Sequence, residues 1–192
     1  TNLRYMSAAS ILFICCLLAT ALTAVTDLIT GQLLVTNDAR LWQGILYNTL
    51  YFIVNIISTS FIALYLFTKI LEHTHTRYCM RNACIGLVVL FVVYTAFVIA
   101  NLWNGCLFYF DSQGNYCRGP FNALGYVITL LQLVLVGICY LRNRQVASRP
   151  MRRLLMQLFP IIPLCIVIQR IYPEIMLNSF LFALADTVMF LT

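Results

Sequence analysis

The side chains with chemistry to offer are a few ionisable and amide groups set inside long apolar runs. They are Asp27, then Asn48 and Asn55, then Asn101 and Asn122, then Gln169, Arg170 and Asn178, with Gln132 and Asp186 deeper. Asn48 and Asn55 stand seven residues apart and so share one helix face. In lipid such groups are costly, and they turn toward a cavity or toward one another. Two uses are open to them: an outward-facing pocket for a polar ligand, or hydrogen bonds between helices that hold a bundle together. Asp27 argues most for a pocket, because a carboxylate near the outer rim needs a partner. Arg170 is the candidate partner, although either side chain can also snorkel to water.

Catalytic motifs do not occur. The sequence has no Gly-rich phosphate loop, no HExxH and no GxSxG, and no apolar run pairs a serine with a histidine. His73 and His75, with Glu72 and Cys79 nearby, have metal-ligand types but weak spacing, and a solvated basic loop is the stronger reading. We expect no metal, no cofactor and no enzymatic activity from this stretch itself. Basic inner loops are what topology and anionic lipid require, so they imply membrane lipids and no nucleic acid.

The elements that position these groups follow from composition. Of 192 residues, 62% are hydrophobic and 9% charged, with a mean hydropathy of +0.89. Soluble domains carry about 25% charged residues, so this chain has too little charge to cover a water-facing surface. It must be integral to a membrane. Against the ~20 residues a spanning helix needs, six apolar runs are expected to span, near Tyr5 to Leu28, Trp42 to Phe67, Ala83 to Trp103, Phe121 to Leu141, Met151 to Ile171 and Ile175 to Leu191. The runs are continuously apolar and do not alternate, which selects helices over a barrel. The expected fold is all-α, a polytopic bundle of six spans forming one transmembrane domain over residues 1–192. Thr1 in place of Met, and an apolar run reaching almost to Thr192, lead us to expect the membrane part of a longer chain with no signal peptide.

Basic residues orient the bundle. Arg4, Lys69, Arg77, Arg81, Arg142, Arg144, Arg149, Arg152 and Arg153 fall in one set of loops, and Arg40, Arg118 and Arg170 in the other. That bias puts both ends in the cytoplasm. Pro150 suits the first turn of the fifth helix. Pro160 and Pro163 are expected to bend it, as a hinge or as a static kink. The short turn at Tyr172-Pro173 predicts a tight antiparallel pair of the fifth and sixth helices.

Between Trp103 and Pro120 lies a polar island, WNGCLFYFDSQGNYCRGP, on the outer side. Asp111-Ser112-Gln113-Gly114 predicts a type I turn with glycine where φ is positive, hence a small β-hairpin over the mouth of the bundle. Its Trp and Tyr rings suit the membrane interface. Cys106 and Cys117 are candidates for a disulfide across the hairpin on an oxidising face, the alternative being two unpaired thiols. Cys15, Cys16, Cys79, Cys84, Cys139 and Cys165 read as small buried hydrophobes. The candidate ligand-binding set is Asp27, Asn48, Asn55, Trp103, Tyr116, Asn122, Tyr126, Gln169, Arg170 and Asn178.

From Phe108 to Pro173 the chain resembles the multi-helix membrane sensor regions of Gram-positive bacterial signalling proteins. The likeness rests on an aromatic hairpin with Gly-x-Tyr (Gly114 to Tyr116), then Arg118-Gly119-Pro120, a Tyr-bearing helix, the basic turn LRNRQVASRPMRR, and a Pro-containing helix ending IVIQRIYPE. Earlier, AVTDLITG and LYNTLYFIVN resemble the family's Asp-bearing helix end and its Asn- and aromatic-rich next span. Cys106 and Cys117 are not part of the family pattern. The resemblance implies a sensor that binds an extracytoplasmic or outer-leaflet ligand, a small molecule or lipid. It also implies a cytoplasmic output domain in cis, most often a GGDEF diguanylate cyclase and sometimes a histidine kinase. A homodimer, a bacterial plasma membrane and one further helix ahead of Thr1 are implied as well. Two rivals remain. A small transporter would use polar groups at mid-membrane and broken helices, and a structural anchor would bind no ligand.

Overall fold

The computed structural model describes residues 7–36, 41–72, 77–112, 114–145, 148–171 and 178–191. Helices α1 (Ala8–Thr36), α2 (Leu41–Leu71) and α3 (Arg77–Asn104) are followed by a hairpin of β1 (Phe108–Phe110) and β2 (Tyr116–Arg118). Then come α4 (Leu124–Arg142), α5 (Arg149–Ile171) and α6 (Asn178–Phe190). The chain is a multi-pass membrane protein: α1 to α5 are each long and apolar enough to cross a bilayer. The described α6, at 13 residues, covers about 20 Å of axis and is too short to do so alone. The expected ends shift most at α1, which runs on past Leu28 to Thr36, and at α3, which begins six residues before Ala83. The start of α4 moves by three residues, because Phe121 to Ala123 form a turn tied back to the hairpin by Phe121 N–H donating to Cys106 C=O (2.9 Å). His73, His75, Gln113, Arg4, Arg40, the Tyr172-Pro173 turn and the start of the sixth run at Ile175 lie outside the described residues.

Burial shows which helix is central. Half of the α2 apolar window is buried inside the protein, against 17% for α3. The exposed face of α3 carries Ile85, Val88, Val89, Val92 and Val93, an apolar surface suited to lipid. The core has two parts. One joins all six helices around Leu66, Ile70, Val136, Leu154 and Leu158, with Leu87 from α3. The other, nearer the hairpin, gathers Phe52, Tyr94, Val98, Leu107, Phe108 and Ile128.

The expected pairing of α5 with α6 is not the main contact: α6 packs chiefly on α1. The reason is polar, since the α6 N-terminus and Asp186 both have α1 partners or neighbours, as described below. Pro150 lies in the first turn of α5, where Ser148 Oγ accepts from Met151 N–H (3.3 Å). Pro160 and Pro163 lie inside α5, which continues as one helix from Arg149 to Ile171.

The hairpin forms as its sequence predicts, with Tyr109 paired to Cys117 and Phe110 to Tyr116. Gly114 has φ +84°, and its N–H donates to Asp111 C=O (3.0 Å). Asp111 Oδ1 also accepts from Asn115 N–H (2.8 Å). The Cys106–Cys117 disulfide is not formed; both thiols are free. The register explains this, because Cys117 stands opposite Tyr109 while Cys106 precedes the strand and is not its cross-strand neighbour.

Candidate functional site

Asn101 holds the hairpin to the helices. It lies in the last turn of α3 at 5% exposure, and α3 ends where Gly105 (φ +61°) donates its N–H to Asn101 C=O (3.0 Å). Its Oδ1 accepts from Leu107 N–H (2.6 Å) and Phe108 N–H (3.2 Å), and its Nδ2 donates to Phe108 C=O (3.1 Å). Asn122 completes the tie, with Nδ2 donating to Leu107 C=O (3.0 Å) and to Tyr116 Oη (3.4 Å). Phe108 then stacks on Phe52 of α2, with ring centroids 5.6 Å apart.

Beneath this roof is a partly enclosed cavity of about 120 Å³ among α2, α4, α5 and α6, with Thr30 of α1 and Tyr94 of α3 also in its wall. A single water needs only ~10–15 Å³ by a comparable measure, so a small molecule's polar end fits. Asn48 and Asn55 both line it, as their spacing predicts, and Tyr51 lies between them on the same face. Tyr116, Asn122, Tyr126, Gln169 and Asn178 line it too.

Three of the expected site residues do not line it. Trp103 is 79% exposed at the end of α3, where a ring at the membrane interface belongs. Arg170 is exposed in the last turn of α5, within electrostatic reach of the Tyr126 phenol. Asp27 is buried and makes no ion pair with Arg170; its Oδ2 accepts from Ser179 N–H in the first turn of α6 (3.1 Å). A carboxylate there meets the orphan N–H groups and the positive end of the helix dipole, so no cation is required.

Each lining asparagine divides its amide in the same way. Nδ2 donates to a protein acceptor, namely Gly44 C=O from Asn48 (2.9 Å), Tyr51 C=O from Asn55 (2.9 Å) and Tyr51 Oη from Asn178 (2.8 Å). The amide oxygens remain as acceptors, and Asn55 Oδ1 is buried with no partner among the described residues. Four tyrosines, Tyr51, Tyr94, Tyr116 and Tyr126, bring phenols to the wall. Burial pushes the Tyr116 phenol above its ordinary pKa, against the pull of the Asn122 hydrogen bond and the Arg118 charge, so it stays neutral. Arg118, exposed on β2, is the one charged residue in the wall among the described residues.

Sequence reasoning missed Tyr51, Tyr94, Arg118, Thr30, Thr59 and Thr129. Tyr51 was signalled by its place between Asn48 and Asn55. Tyr94, 2% exposed, was signalled by a phenol in an otherwise apolar run, and it reaches the wall where Gly125 of α4 leaves room for its hydroxyl.

Asn101, read above as a pocket or bundle residue, instead ties down the chain reversal. Away from the cavity, Gln132 Nε2 donates to Ser60 Oγ (3.0 Å), joining α4 to α2. Asp186 is 3% exposed beside Thr20 and Cys16 of α1, and no cation pairs with it among the described residues. The described residues contain no metal-binding group of His, Cys, Asp and Glu. What the arrangement does chemically is offer hydrogen-bond acceptors, phenols and aromatic faces in one semi-enclosed space.

No family model, no curated protein and no solved structure matches the chain.

Proposed function

We propose that the chain is the membrane-embedded sensor part of a signalling protein. On this reading it binds an extracytoplasmic or outer-leaflet ligand under the hairpin and regulates a cytoplasmic output domain in cis, of the diguanylate cyclase type. The observation that carries the proposal is the cavity: seven residues singled out on sequence grounds as ligand-binding line one space on the hairpin side. The basic-residue bias supports a plasma-membrane orientation with both ends in the cytoplasm. In that orientation the sixth apolar run, Ile175 to Leu191, of which α6 is the described helix, makes the last crossing and leads toward the output domain of a homodimer. Ligand binding passes a signal only to the extent that it favours one helix arrangement over another.

The test is the output of the chain joined to its own cytoplasmic domain, read as cyclic dinucleotide made or as autophosphorylation. Gln169→Ala is expected to shift the response while leaving the bundle folded. An unchanged response in a folded variant contradicts the proposal. A transporter is the second reading, favoured by Asp186, a buried carboxylate beside Thr20 with no cationic partner among the described residues. Substrate flux into proteoliposomes, lost in Asp186→Asn, would establish it in place of the sensor.

A further inference from the structure

We propose that the cavity takes a neutral amphiphile, with a hydroxyl-bearing polar end under the hairpin and a hydrocarbon end between α2, α4 and α6. The proposal rests on reading the cavity as the sensor's ligand site and names the class of ligand.

The polar end follows from unspent hydrogen-bonding capacity. Asn48, Asn55 and Asn122 each donate Nδ2 to a backbone carbonyl. A carbonyl only accepts, so the orientation of each amide is fixed and its oxygen is left as an acceptor. Asn55 Oδ1 and Thr30 Oγ1 are buried without partners among the described residues, and both residues line the cavity. Buried acceptors left unmade are expensive, so the ligand that fits is one that donates. Tyr51 Oη already accepts from Asn178, which leaves its O–H free to donate to a hydroxyl oxygen.

Charge narrows the class from both sides. No carboxylate lines the cavity among the described residues, and its one charge, Arg118, is a cation. An ammonium would be desolvated there with no carboxylate in the wall to meet it among the described residues. A carboxylate or phosphate would face the amide oxygens, and the one cation in the wall among the described residues stands on an exposed strand. A hydroxyl meets neither penalty.

Shape supplies the other end. A smaller cavity of about 40 Å³ shares Thr59, Thr129, Leu181 and Phe182 with the first. Apart from those threonines and Gln132 its lining is apolar, with Ile62, Leu66, Leu133 and Val136 in the wall. Together the two spaces grade from polar under the hairpin to apolar between the helices.

The experiment uses the chain in phosphatidylcholine nanodiscs and follows thermal unfolding with monolaurin, laurate, dodecylamine or glycerol added. Monolaurin is expected to raise the midpoint saturably, because a ligand that binds only the folded state stabilises it, while the other three do not. Asn55→Leu is expected to weaken monolaurin about tenfold, the loss of roughly one hydrogen bond to the ligand. Thr30→Val serves if that variant does not fold.

A shift with laurate or dodecylamine in place of monolaurin overturns the ligand class and leaves the sensor reading standing. Equal shifts in wild type and Asn55→Leu mean partition into the bilayer and overturn the proposal, as does no shift with any compound. The sensor reading is judged separately by the Gln169→Ala output. Native mass spectrometry of the purified chain separates two supporting sources. A co-purified hydroxyl-headed lipid identifies the host membrane, and loading only on addition of monolaurin identifies a diffusing signal.

Discussion

Replacing Asn101 with alanine tests the claim that one buried amide keeps the roof over the cavity. The substitution removes three side-chain hydrogen bonds and strands Leu107 N–H, Phe108 N–H and Phe108 C=O in a segment where Leu107 is 0% and Phe108 2% exposed. Unmade buried groups cost about 1–3 kcal/mol each. The two N–H groups share one oxygen, and one of them does so at 3.2 Å, so the three do not count in full. Water at the interface recovers part of the loss as the hairpin lifts. A net cost of about 2–4 kcal/mol to the closed hairpin follows.

Hydrogen exchange of the Leu107 and Phe108 amides, read by mass spectrometry in nanodiscs, reports that opening directly. The expected acceleration is about 30- to 1,000-fold, at 1.4 kcal/mol per tenfold. Asn101→Asp keeps the acceptor for both N–H groups and loses only the donor to Phe108 C=O, so it should exchange more slowly than the alanine variant. Unchanged exchange in Asn101→Ala would refute the reasoning, and so would an aspartate variant as fast as alanine.

Three further outcomes are expected. Asp27→Asn still accepts from Ser179 N–H, so thermal unfolding should show a loss of about 1 kcal/mol or less, whereas Asp27→Leu leaves that N–H unpaired and should cost about 1–3 kcal/mol; equal losses would contradict the capping role. Gly119→Ala puts a Cβ against the backbone of Cys106 and 2.7 Å from Gly105 C=O, where nothing can yield, so amide exchange should show the hairpin displaced while the helices stay protected. Gly125→Ala brings a Cβ to 2.8 Å from Tyr94 Oη; with the phenol driven toward the cavity, stability should fall by about 1–3 kcal/mol and the cavity should shrink in a map of the variant.

Much of this architecture was legible because it rests on local rules. The apolar runs mark all six helices, of which five are long and apolar enough to cross, and the Asp111 to Gly114 turn specifies the hairpin through one residue's tolerance of positive φ. The shared face of Asn48 and Asn55 needed only helical periodicity. What sequence left hidden depends on partners far along the chain. Asp27 invites a search for a cation, and its partner is a backbone N–H 152 residues away, which no side-chain inventory reveals. Asn101 and Asn55 look alike in sequence. Only the fold separates the one whose oxygen is spent on two amides from the one whose oxygen has no partner among the described residues. The cysteines at 106 and 117 look bridgeable until the register is known, because Cys117 pairs with Tyr109, three residues beyond Cys106.

The most direct test of the central claim is a high-resolution map of the chain in a lipid nanodisc, read between Tyr51, Asn55 and Tyr126. The ligand-site account predicts elongated density there, with a polar end within hydrogen-bond distance of Asn55 Oδ1 and an apolar end running toward Leu181 and Phe182. Side chains closed over a dry, filled core in that space would contradict it and leave the amides as the bundle's internal glue.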